Sequence, residues 1–243
     1  MKIPASFILS ALALLSAAAA VAGDWKVDLK AVNGGVTYSH AQSLDLGEQS
    51  TYDGKVRMRG PGRPRELIFN SLLNQPEEGL FRLDYQVELT GEHPARPPFQ
   101  ASGKVLLRPG KPVLAAEAGG WKLILELKGS AGGDLQKRNN GTLATSLKCG
   151  RASYPANFAY LPEEQYTAVQ YDAAGDTVRK FMVGLLPNAP ALDGTFLLQY
   201  TLQLKEGGET AAEGQGELIL APGGPKRTAK AGKDCVFSAR ALR

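Results

Sequence analysis

Phe81, Leu83, Tyr85, Val87 and Leu89 alternate with Arg82, Asp84, Gln86 and Glu88. Such strict alternation places all the apolar side chains on one face of a β-strand and the polar ones on the other. An amphipathic helix would instead repeat its apolar positions every three or four residues. The pattern returns in Phe196, Leu198, Tyr200, Leu202 and Leu204, and a glycine lies just before each run, Gly79 and Gly194. A second feature also recurs. Val105-Leu106-Leu107 runs into Pro109-Gly110, and Leu218-Ile219-Leu220 runs into Pro222-Gly223. Proline fixes φ at the first central turn position and glycine supplies positive φ at the second, so each run predicts a strand ending in a type II turn.

Together these repeats predict an all-β chain of two tandem antiparallel β-sandwich-like domains related by internal duplication. The expected domains span residues 24–128 and 142–243, joined by a linker at 129–141 that is rich in glycine and polar residues. The 28 glycines and 15 prolines suit a chain with many turns. Glu66 to Asn74 reads as a strand buried on both faces rather than a short helix, by analogy with Val178 to Leu186, whose Gly184 a helix tolerates less well.

Residues 1–22 read as a cleavable signal peptide. Lys2 precedes an apolar run from Phe7 to Ala20, and Ala20-Val21-Ala22 supplies the small-x-small cleavage pattern. The expected location is therefore periplasmic or secreted, with no transmembrane segment after cleavage. In such a compartment Cys149 and Cys235 are expected to form a disulfide, since no nearby Cys or His completes a metal site. In the chain-entropy description a bond closing a loop of that length stabilises by roughly 4–5 kcal/mol, a gain that strain in the folded state often reduces.

Catalytic motifs do not emerge. His40 and His93 are the two histidines, both beside turn residues and read as exposed loop positions. No Gly-x-Ser-x-Gly elbow occurs, and the Gly119-Gly120 and Gly207-Gly208 pairs lie between strands and lead into no helix, so they read as turns. Glu77-Glu78 and Glu163-Glu164 are adjacent pairs whose side chains would diverge on a strand. The chain is thus expected to be non-catalytic, to need no cofactor or metal, and to act as a binding or accessory protein of the cell envelope. Two alternatives remain: a carbohydrate-active hydrolase whose carboxylates the fold assembles, and a small-ligand carrier.

Two stretches are candidate partner-binding regions. Lys55, Arg57, Arg59, Arg63 and Arg65 form the densest positive charge, suited to the phosphate or carboxylate groups of an anionic envelope polymer or an acidic protein surface. The competing reading is a charged edge strand that blocks sheet-to-sheet aggregation. Tyr154, Phe158 and Tyr160 lie in a proline-containing stretch expected to form an aromatic loop, available for contact with a partner or capping the sandwich. Nucleic acid is not expected as a partner, because the export signal and the modest net charge of +4 argue against it. The sequence leaves the oligomeric state open.

Overall fold

The computed structural model describes residues 25–60, 65–77, 79–90, 98–129, 140–174 and 177–242. The expected leader and most of the expected linker lie outside them, as do Arg63 and His93. In the first half the strands are β1 (Trp25–Asn33), β2 (Val36–Leu44), β3 (Gln49–Lys55), β4 (Arg57–Arg59), β5 (Glu66–Glu77), β6 (Leu80–Thr90), β7 (Phe99–Leu107), β8 (Val113–Ala118) and β9 (Trp121–Lys128). The second half contributes β10 (Gly141–Cys149), β11 (Ala152–Tyr160), β12 (Tyr166–Ala174), β13 (Thr177–Pro187), β14 (Phe196–Glu206), β15 (Glu209–Leu220), β16 (Arg227–Lys230) and β17 (Cys235–Leu242). The strands predicted from alternation are β6 and β14, and Glu66 to Asn74 lies in β5. Gly110 and Gly223 take the positive φ, 74° and 70°, that the predicted turns require.

Two antiparallel sheets hold all the strands. One has nine, in the order β16-β17-β10-β11-β8-β9-β1-β2-β4, and the other eight, in the order β15-β14-β13-β12-β7-β6-β5-β3. Their inner faces interlock through aromatic pairs: Trp25 on Phe81 at 4.2 Å between ring centroids, Tyr200 on Phe237 at 4.5 Å, and Phe158 on Tyr166 at 6.2 Å. Offset and tilted rings at these separations are the favourable geometry for aromatic packing in a core.

Apart from β4, which has no counterpart among the described residues of the second half, the strand order within each half is the same. The nine-stranded sheet contains β2-β1-β9-β8 and then β11-β10-β17-β16, and the eight-stranded sheet contains β3-β5-β6-β7 and β12-β13-β14-β15 in the same sense. Pairing registers match as well. Tyr85 faces Gly103 and Tyr200 faces Gly216, while the Gly110 amide donates to the Leu127 carbonyl and the Gly223 amide to that of Ala241.

Both sheets run through both halves. β8 pairs with β11 (Ala116 opposite Phe158, Ala118 opposite Ala156), and β7 pairs with β12 (Phe99 opposite Gln170, Ser102 opposite Thr167). Side chains reinforce this junction. The Ser102 and Thr167 hydroxyls share a hydrogen bond of 2.6 Å, Asn157 donates to Glu117 at 3.0 Å, and Asn140 bonds both the amide and the carbonyl of Leu106. The Tyr166 ring lies so close to Gly103 that a Cβ there would come within 2.4 Å of it. Burial pushes the Tyr85 and Tyr166 hydroxyls well above the ordinary phenol range.

Because every pairing among these strands of the nine-stranded sheet is antiparallel, β1 begins and β17 ends at the same rim. The two-residue turns at 34–35, 119–120 and 150–151 lie at the opposite rim.

Candidate functional site

The basic stretch read from the sequence is a crossover between the sheets. Lys55 ends β3 in the eight-stranded sheet, Val56 turns inward at 6% exposure, and Arg57 to Arg59 form β4 at the edge of the nine-stranded sheet. Here β4 pairs with Thr37 to Ser39 of β2 only. Beside this crossover opens a cleft of about 820 Å³, lined by Lys26, Lys30, Lys55 and Arg59 with Asp28 as its one carboxylate. None of the four cations is ion-paired among the described residues.

Lys26 and Lys30 escaped the sequence reading. Their signal was present: Lys26, Asp28 and Lys30 occupy the polar side of β1, whose apolar side is the buried Trp25, Val27, Leu29 and Ala31. What the sequence lacked was the crossover through Val56 that brings Lys55 and Arg59 alongside the β1–β2 hairpin.

Arg65 overturns its expected place. It is 2% exposed, and its guanidinium lies 5.3 Å from the Trp121 ring and 5.9 Å from the Tyr38 ring. A planar, weakly hydrated cation is the one charged group suited to such an aromatic setting, so Arg65 belongs to the core rather than to a binding surface. The aromatic loop requires the same correction. Tyr154, Phe158 and Tyr160 are 3%, 1% and 7% exposed on β11, where their even spacing points all three into the sandwich. They meet Phe181, Tyr166 and Phe196 and offer no surface to a partner.

His40 also departs from the loop expected for it. It sits on β2, stacked on Tyr52 at 3.8 Å and edge-on to Phe69 at 6.4 Å. Burial holds its pKa below the ordinary 6.5, and its buried Nε2 has no hydrogen-bond partner. Below it, Gln42 donates to the Ser50 hydroxyl while its own carbonyl oxygen is likewise buried and unpartnered. The cleft therefore brings four long-stemmed cations together beside an imidazole whose Nε2 is turned away from solvent. The cations can take the oxygens of phosphate or carboxylate groups by charge and by hydrogen bonding.

Carboxylates cluster elsewhere. Asp84 and Glu164 converge on Lys104 at 3.7 and 2.6 Å and on Arg82 at 3.3 and 3.8 Å. Partial burial raises the Asp84 pKa against the pull of Lys104 and Arg82. Because Glu164 belongs to the second half and the other three to the first, the cluster ties the junction together. Gln165, Gln199, Gln215, Thr201 and the single carboxylate Glu217 line an open depression of about 470 Å³ on the eight-stranded sheet. A two-carboxylate glycosidase needs an acid and a second carboxylate flanking the scissile bond. This depression supplies one.

Among the described residues no helix is long and apolar enough to cross a membrane, and no group of His, Cys, Asp and Glu is placed to hold a metal ion. Comparison of the chain with family models, curated proteins and solved structures finds no match.

Proposed function

We propose that this chain is an exported binding protein of the cell envelope, built from two copies of one β module, that holds anionic groups in the cleft beside β2. The observation that carries this reading is the imbalance of charge in that cleft: Lys26, Lys30, Lys55 and Arg59 against Asp28. Several cations focused in one concavity attract and retain polyanions far better than the same charges scattered over a convex surface. The leader pattern and the disulfide between Cys149 and Cys235 support export to an oxidising compartment.

Titration calorimetry with inorganic polyphosphate and with polygalacturonate, at low and high salt, tests the site and separates phosphate from carboxylate preference. Binding is expected at low salt and should weaken steeply as salt screens the cleft. A Lys26→Ala/Lys30→Ala variant should bind about tenfold more weakly, a loss of about 1.4 kcal/mol. Equal affinity in the variant, or no binding of either polymer at low salt, overturns the reading.

A further inference from the structure

The junction inside the chain is made from edges that also occur, unpaired or only partly paired, at its two ends. β7 and β8 of the first half meet β12 and β11 of the second. In the matching strand order the counterparts of β7 and β8 are β15 and β16, which form one end of the molecule. The counterparts of β12 and β11 are β3 and β2, which form the other. β15 is the terminal strand of its sheet, twelve residues long. At the other end β3 is terminal, and β4 covers Thr37 to Ser39 of β2 but not His40 to Gln42. His40 to Gln42 are the residues that match Ala156 to Phe158, the segment of β11 that pairs with β8.

We infer that the protein associates head to tail, with β15 and β16 of one copy adding to β3 and β2 of the next by the register of its internal junction. That register sets Gln215 opposite Thr51, Gly214 opposite Tyr52, Glu213 opposite Asp53 and Ala212 opposite Gly54 in the eight-stranded sheet. In the other sheet Ala231, Lys230 and Ala229 fall opposite His40, Ala41 and Gln42. The fit has recognisable chemistry. Gly214 leaves room beside the Tyr52 ring, and Ala229 and Ala231 are small enough to lie over Gln42 and His40, as Ala116 and Ala118 do over Phe158 and Ala156. Lys55 follows Asp53 on the outer face of β3 and so lies diagonally across from Glu213, just before the bulge at Ala211. Against these stands one unfavourable opposition, Asp53 to Glu213, which makes the contact weak at neutral pH.

Such a contact is heterologous, because two different surfaces meet, and it grows into an open row rather than closing as a dimer. Edge strands with unpaired backbone groups are what such growth requires. The contact shares His40, Ala41, Tyr52 and Lys55 with the wall of the anion cleft, but the inference rests on strand order and register rather than on anion binding, and Asp53 and the glutamates of β15 lie outside the cleft.

Sedimentation velocity from micromolar to millimolar concentration tests it. Wild-type protein should show an average mass that rises with concentration. Asp53→Lys should tighten association several-fold by converting the opposed like charges into a pair, and Lys55→Glu should abolish it. Lys55→Glu retains an intact tail, so in excess it should cap wild-type heads and convert the mixture to species of two chains. Lys26→Ala/Lys30→Ala should associate as wild type does, which keeps the result distinct from failure of the anion site. A monomer at every concentration in both wild type and Asp53→Lys, or association that Lys55→Glu leaves unchanged, overturns the inference.

Discussion

Trp121 and Cys235 occupy matching positions in the two halves, each opening the last strand of its unit, and the surroundings they need are different. In the first half Val32 faces Lys122, so one step further along the register Asn33 faces Trp121. In the second half Cys149 faces Cys235 and is bonded to it. Trp121 is 1% exposed, stacked near Phe99 at 6.2 Å and Tyr38 at 5.8 Å, with Arg65 over its ring. The second half has no ring to bury at this place. It also carries Ala239 and Ala241 where β9 has Leu125 and Leu127, so less apolar area is removed from water along β17. The comparison teaches that one architectural corner can be secured by burial of a large side chain or by a covalent tie, and that the tie appears in the half with the smaller side chains.

The arginines follow the same division. Arg65 and Arg179 hold matching places before β5 and on β13. Where Trp121 closes the corner, Arg65 is sealed between rings. Where Cys235 stands instead, Arg179 remains partly exposed and pairs with Glu206 at 2.7 Å.

The largest expected effect comes from the aromatic corner. Trp121→Ala should cost about 3–5 kcal/mol, the loss for truncating a large buried ring, measured by urea unfolding. A cost below that of removing the disulfide would break the comparison. Cys149→Ala/Cys235→Ala should cost about 2–4 kcal/mol. Because both sheets run through both halves, the variant should still melt in a single transition by calorimetry. Two separated transitions would show that the halves hold themselves together independently. Arg65→Ala should cost about 2 kcal/mol through lost contact with two ring faces in a desolvated site. Arg179→Ala should cost distinctly less than Arg65→Ala, as expected for an ion pair screened by solvent. Equal effects from the two arginines would remove the distinction between sealed and open corners.

Much of this fold was legible from alternation alone. A period of two dictates which side chains point inward, and it located β6 and β14, while the matching proline-glycine turns marked the strands that run into them. Alternation says nothing about neighbours, so the pairing of β7 with β12 and β8 with β11 was not visible. Nor was the crossover at Val56, which separates Lys55 from Arg59 into different sheets yet returns both to one cleft. Pro155 misled the reading of β11, because proline within a run usually signals a loop. Here it lies just beyond the three residues that pair with β8, where no strand lies against that side of β11. The disulfide was legible because only two cysteines had to find each other. Its partner corner was not, since nothing in the spacing of Arg65 and Trp121 announces a guanidinium stacked on a buried indole.

The shared rim of β1 and β17 has a consequence for how the molecule stands when it is held. A tether leaving before Trp25 and one leaving after Leu242 would both anchor the same side of the nine-stranded sheet. Fixed by either terminus, the protein therefore presents the same upright posture, with the tight hairpin tips at 34–35, 119–120 and 150–151 facing away from the point of attachment.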